Sequence, residues 1–214
     1  MNEIKFNTVE KQLYYQGEVI VKYSIEYPEI VSSPYEAGKQ VFNMENRKKA
    51  LDLKEFAEGE FYEQAKEVYE YNKKNGYPIM MFELYLTTTL TYQSNKVISI
   101  YQDEYTFTGG AHGSTIRTAQ NWDLPLARII DLQDFYPNNP YYLIEILKQI
   151  NSQIAERIKQ EPSTYFDDYC QLVLESFRLE NYYLTPKGIV IFFQQYDIAP
   201  YSTGIPTFLI SKRI

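Results

Sequence analysis

The sequence predicts an α+β fold: two small subdomains with antiparallel sheets packed by helices. Three patterns carry that prediction. Apolar and polar residues alternate over 19–27 and 82–92, the period-two mark of half-buried strands. Apolar residues recur at helical spacing over 61–69 and 143–158. The links between successive strands after residue 82 are too short for helical crossovers, so those strands form a meander.

The elements follow in order. Val19, Val21, Tyr23, Ile25 and Tyr27 alternate with Lys22, Ser24 and Glu26, and Pro28 with Ser32, Ser33 and Pro34 break the strand. From Tyr35 to about Asn75 the pattern is helical, with Phe61, Ala65, Val68 and Tyr69 on one stripe. Gly59 divides this stretch into two helices, and Asn75-Gly76 followed by Pro78 ends the second. Phe82, Leu84, Leu86, Leu90 and Tyr92 then face one side of a strand that turns at Ser94-Asn95 into a second, Val97 to Phe107. A third runs from Ser114 to Trp122.

Asn139-Pro140 starts a helix, because Asn caps and the missing N–H of Pro costs nothing in a first turn. Leu143, Leu147, Ile150, Ile154 and Ile158 form its apolar stripe, and Glu161-Pro162 stops it. Another helix is predicted from Thr164 to about Phe177. A hairpin follows, Asn181–Leu184 with Ile189–Gln194 about the turn Thr185-Pro186-Lys187-Gly188, and a last strand through Phe208 to Ile210. The boundary falls near 109–114, giving domains 1–112 and 113–214.

Composition limits the function. The chain has 214 residues, 44% hydrophobic and 23% charged, an ordinary globular balance that allows a substantial core. Its 22 tyrosines suit half-buried sheet faces and binding surfaces. A net charge of -7 argues against nucleic acid as a partner, since phosphate neutralisation needs many cations. No window approaches the ~20 apolar residues of a membrane span, so no membrane insertion is expected. Met1 to Glu10 lack the apolar core of a secretory signal, so the sequence as it stands reads as cytoplasmic. With one cysteine, Cys170, no intrachain disulfide forms, and a packed, inert thiol on a helix is expected.

Two segments stand out. Thr108-Gly109-Gly110-Ala111-His112-Gly113-Ser114 holds the only histidine. It is no phosphate loop: the spacing is wrong, no Lys follows, and it joins two strands rather than opening a helix. One His and one Cys do not make a zinc site, and no metal or cofactor is expected. A triad can be written from Ser114, His112 and Asp123, but no nucleophile elbow surrounds Ser114. Asp103 and Glu104 are strand neighbours on opposite faces and cannot act as a pair. A glycine-rich turn needing positive φ is the simpler reading. The second segment, Gln195 to Pro206, holds two prolines, Gly204, Tyr196, Tyr201 and Ile198. It predicts a structured loop that either displays its tyrosines for recognition or packs them beneath itself.

These segments also carry a resemblance. The run 108–114, then Asn121-Trp122-Asp123-Leu124, Ile130-Asp131-Leu132 and Asp134-Phe135, resembles the junction of a known two-domain unit. So do Tyr183 to Val190, Phe192-Phe193, and Tyr196-Asp197-Ile198-Ala199-Pro200-Tyr201 followed by Gly204. That unit is the pair of α+β domains of unknown function in the extracytoplasmic part of RsiV-type anti-sigma factors, also found N-terminal to PdaC-type peptidoglycan deacetylases. On this resemblance 1–112 is PdaC N-terminal-like and 113–214 RsiV-like. It implies a binding module rather than a catalyst, with a protein such as lysozyme or a cell-wall glycan as partner. It also implies an extracytoplasmic place if the chain is part of a longer protein. The ligand-binding candidates are Gly109, Gly110, His112, Ser114, Tyr196, Pro200 and Tyr201. The alternative is a hydrolase acting on cell-wall glycan or an ester through His112 and nearby polar residues.

Overall fold

The computed structural model describes residues 2–211. Two strands, β1 (Glu3–Tyr15) and β2 (Glu18–Ser32), precede two helices, α1 (Glu36–Glu58) and α2 (Glu60–Asn75). Next come β3 (Phe82–Gln93), β4 (Val97–Phe107), β5 (Ser114–Asp123) and the short β6 (Arg128–Ile129). After a 3-10 turn, Leu132–Phe135, the chain forms α3 (Tyr142–Gln160), α4 (Tyr169–Ser176), β7 (Tyr182–Thr185), β8 (Gly188–Phe192) and β9 (Thr207–Ile210). One sheet has the order β1-β2-β3-β4-β5-β6 and the other β7-β8-β9. The fold is α+β, as the alternation and stripes predict. The chain divides into two compact units, Met1–Thr88 with Gln102–Thr115, and Thr89–Tyr101 with Ile116–Ile214, so β3, β4 and β5 each run through both.

In the first unit α2 packs Phe61, Ala65 and Tyr69 with Ile20, Val21, Tyr23 and Ile25 of β2 and Phe82, Leu84 and Leu86 of β3. Burying each such side chain contributes roughly 1.5–3 kcal/mol. Gly59 separates the helices with a non-helical φ of -109° and ψ of -103°. The chain crosses through both helices before β3, which therefore lies parallel to β2, Val21 opposite Phe82 and Ile25 opposite Leu86. This one parallel pair departs from the antiparallel pairing expected, in a sheet that is otherwise antiparallel-rich. The first strand was also not foreseen: the mixed, polar start is β1, antiparallel to β2. Only Val9, Leu13 and Tyr15 reach the core from it, so its alternation is diluted by the polar residues of an edge strand. Beyond Ile25, where the β2–β3 register ends, the Asn43 amide bonds to the β2 backbone at Ile30. Its Nδ2 donates to the Ile30 carbonyl (2.9 Å) and its Oδ1 accepts the Ile30 N–H (2.8 Å). Glu58 accepts from Lys54 (2.7 Å), Lys11 (2.9 Å) and Tyr23 (2.8 Å). These bonds hold its carboxyl down to about 2.

In the second unit Ile146, Ile150 and Ile154 of α3 are fully buried with Leu184, Ile189, Ile191, Phe193 and Phe208. The stripe is centred on these residues, with Leu147 and Ile158 at its flanks. The neighbouring face of α3 covers the outer edge of β9. Arg157 donates to the Thr207 carbonyl (2.9 Å), Gln153 to the Leu209 carbonyl (3.0 Å), and Gln149 accepts the Ser211 N–H (3.3 Å). Steps of four along the helix thus match steps of two along the strand. A buried network runs from Ser99, whose hydroxyl donates to Asn121 Oδ1 (2.7 Å) and accepts the Leu184 N–H (2.9 Å). Asn121 in turn donates to the Tyr182 carbonyl (2.9 Å), and the Tyr182 hydroxyl to the Ile130 carbonyl (2.6 Å).

Two helix boundaries differ from expectation. α3 begins at Tyr142 because Asn139 Oδ1 accepts the Tyr141 N–H (3.0 Å) in a turn before it. α4 begins at Tyr169 because Phe166 donates to Ile198 (3.2 Å) and Thr164 accepts from the Thr203 hydroxyl (2.7 Å), which holds 164–168 out of a helix. Cys170 is exposed on α4 rather than packed. No helix is long and apolar enough to cross a membrane among the described residues.

Candidate functional site

The loop after β8 is fixed before it reaches its aromatic residues. Gln194 Oε1 accepts the Arg117 N–H (2.9 Å) and Nε2 donates to the Arg117 carbonyl (2.7 Å), so one side chain serves as a strand residue against β5. Arg117 is fixed at its other end too, its guanidinium 3.8 Å from the centre of the Tyr101 ring and 5.9 Å from that of Phe192. Tyr183 completes the cluster, 5.1 Å from Tyr101 and 6.3 Å from Phe192.

From Gln194 the chain turns tightly. Asp197 Oδ2 accepts the Gln194 N–H (2.8 Å), and the Asp197 N–H donates back to the Gln194 carbonyl (3.2 Å). Tyr196, inside that turn, has φ +67°. A non-glycine residue there costs on the order of 1 kcal/mol, offset by the bonds that close the turn. Burial pushes the Asp197 carboxyl above its ordinary value, opposed by its bond from the Gln194 N–H.

Ile198 and Ala199 then plunge into the core. Pro200 leads into the 3-10 turn Tyr201–Thr203, closed by Thr203 N–H to the Pro200 carbonyl (3.0 Å) and Gly204 N–H to the Tyr201 carbonyl (2.9 Å). Gly204 takes φ +72°, and buried Pro206 accepts the Phe193 N–H (3.0 Å). The loop is therefore anchored at both ends and in its middle. Above the anchor Tyr196 is 54% exposed and Tyr201 half-buried, their rings 5.9 Å apart and tilted by 33°.

The glycine segment belongs to the first unit. Gly109 and Gly110 both take φ +98°, which requires glycine. Buried Gly113 must be glycine for a different reason: a Cβ there would sit 2.4 Å from the Tyr105 ring and 2.5 Å from the Thr106 carbonyl. His112 is exposed, its Nδ1 3.1 Å from the Gly113 carbonyl oxygen. Ser114 opens β5 and Asp123 closes it, so a triad of these residues would have to span one ten-residue strand. Asp123 accepts the Leu126 N–H instead (3.0 Å). Among the described residues no group of three or more His, Cys, Asp or Glu is arranged to hold a metal.

Gly109, Gly110, His112 and Ser114 thus lie in one unit and Tyr196, Pro200 and Tyr201 in the other. Sequence reasoning missed Gln194, Arg117, Tyr101 and Tyr183. Their types are ordinary, and only the tertiary placement of two strand ends gives them a role.

Two family models match successive parts of the chain. Residues 16–115 match the deacetylase PdaC model, and 133–213 match DUF3298, a protein family of unknown function. The peptidoglycan-N-acetylmuramic acid deacetylase PdaC of Bacillus subtilis (strain 168) is 24% identical over 164 residues, 68% of this chain. The chain spans about a third of that protein's length, 35%. A crystal structure of a DUF3298 family member from Bacteroides fragilis NCTC 9343 superposes with a TM-score of 0.73 at 20% identity, covering 98% of this chain and 90% of that one. A DUF3298 family protein from Pseudomonas aeruginosa PAO1 gives 0.63 at 19% identity, covering 99% and 90%. At these identities the two structures share the fold.

Proposed function

We propose that the chain, whose successive parts match the PdaC and DUF3298 family models, is a non-catalytic binding module of the bacterial cell envelope. The DUF3298 part presents the loop from Gln194 to Pro206 to a protein such as lysozyme or to a cell-wall glycan. One observation carries this reading: Tyr196 and Tyr201 stand together on a loop whose backbone is fixed by Gln194, Ile198, Ala199 and Gly204. A preformed loop loses little chain entropy on binding. Tyrosines add contact area and hydroxyls that can bond a polar partner. The acidic charge of the chain suits a basic partner.

The test pairs binding with turnover. Purified protein is titrated with lysozyme and with soluble peptidoglycan fragments, and the same mixtures are assayed for hydrolysis, with a generic ester as a third substrate. The module reading expects binding to one of the first two and no product. Turnover that disappears in His112→Ala would replace it with a hydrolase working from the glycine segment.

A further inference from the structure

The second unit has a cavity that the loop does not use. It holds about 330 Å³ and is walled by Ala119, Ile129, Leu132, Tyr142 and Leu179. Two of these apolar side chains reach solvent, Ile129 at 42% and Leu179 at 50% exposure. Its charged residues, Asp131 and Glu180, are both exposed acids.

Arg128 lies in the field of Asp131, whose carboxylate also caps the 3-10 turn through the Asp134 N–H, but the hydrogen bonds of the neighbouring cations go elsewhere. Arg128 is committed to Asp134 (2.8 Å) and to the Ile129 carbonyl (3.0 Å). Arg178 is turned back on its own chain, donating to the Glu175 and Phe177 carbonyls (2.8 and 2.9 Å). The Glu180 carboxylate has no partner among the described residues. The negative field reaches inward: the hydroxyl of buried Tyr182 is pushed well above its ordinary value, first by burial and then by Asp131 and Asp134.

The same wall includes the edge of β5, since Ala119 lines it. On the outer edge of β5 the N–H and C=O of alternate residues point the same way. Arg117 on that edge is tied to Gln194, and Asn121 accepts the Ile130 N–H (2.7 Å). Ala119 lies between these ties and lines the cavity. A short stretch of extended chain can pair with it there, as strands add to free sheet edges.

We infer that this cavity receives a lysine side chain from a basic partner protein. The lysine stem lies along Ile129, Leu132 and Leu179, its ammonium reaches Asp131 and Glu180, and its backbone pairs with Ala119. Apolar walls under an acidic rim are what a long cationic side chain needs, since it buries its stem and keeps its charge at the surface. The site does not depend on Tyr196 or Tyr201.

Nitrogen-15 NMR titration with the peptide Gly-Gly-Lys-Gly-Gly and its norleucine counterpart tests it on the whole chain. The lysine peptide should shift the amides of residues 119, 129–133 and 179–180. Replacing lysine with norleucine, or Glu180→Gln in the protein, should weaken binding about threefold, the scale of one exposed ion pair. Tyr196→Ala should leave these shifts unchanged, which separates this site from the loop. Equal binding of the two peptides, shifts confined to other residues, or no shifts at all would overturn the inference.

Discussion

Gln194→Ala isolates the device that positions the loop from Gln194 to Pro206. The substitution removes two hydrogen bonds, 2.9 and 2.7 Å, to the backbone of Arg117. Each such bond contributes a net ~0.5–1.5 kcal/mol, so the loss should be about 1–3 kcal/mol. Gln194→Glu keeps the acceptor for the Arg117 N–H but faces the Arg117 carbonyl with an oxygen, so it should not rescue the variant. Urea unfolding at neutral pH gives the stability difference. Binding measured on the folded variant should also weaken although Tyr196 and Tyr201 are untouched, because the turn begins at Gln194. A loss below about 0.3 kcal/mol together with unchanged affinity would refute the view that this amide holds the loop.

Three further outcomes follow from the structure. Gly113→Ala should destabilise the first unit by roughly 1–3 kcal/mol, since its Cβ overlaps the Tyr105 ring, and thermal unfolding reads this directly. Glu58→Gln should lower stability at neutral pH. Because the folded carboxyl is held at about 2, the gap to wild type should close as pH falls from the ordinary carboxyl value toward 2 in denaturant titrations. Asp197 behaves oppositely: its raised folded value means that ionisation costs stability as pH rises from the ordinary value upward. Asp197→Asn keeps an acceptor for the Gln194 N–H and should stay within about 0.5 kcal/mol of wild type at pH 7, whereas Asp197→Ala should lose about 1 kcal/mol.

Legibility in the sequence tracked how local each signal is. The alternation of Phe82, Leu84 and Leu86 and the stripe of Phe61, Ala65 and Tyr69 record a single buried face, and all six residues are buried. Gly59 was legible as a helix break because its neighbours on both sides keep helical spacing. β1 was not legible, since an edge strand carries polar residues on both faces and meets the core at only a few positions. The 164–168 segment has helical composition, but bonds to Ile198 and Thr203, over 30 residues away in sequence, override it. The loop itself was legible from Pro200, Gly204 and Pro206, and the division of its tyrosines was not. Tyr196 is displayed because Asp197 closes a turn behind it, and Tyr201 is half-buried because the core takes Ile198 and Ala199 just before it. For the glycine segment, the need for positive φ at Gly109 and Gly110 was readable, while the pressure of Tyr105 on Gly113 comes only from the strand beside it.

On the proposed function, the loop between Gln194 and Pro206 makes the contact with the partner. Titration calorimetry of Tyr196→Ala, with whichever of lysozyme or peptidoglycan fragments the wild type binds, tests it most directly. Tyr196 is exposed, so the variant should fold normally. The expected loss is about 2 kcal/mol or more, over tenfold in affinity, as for an aromatic anchor at the centre of an interface. An unchanged affinity in a folded Tyr196→Ala protein would contradict it.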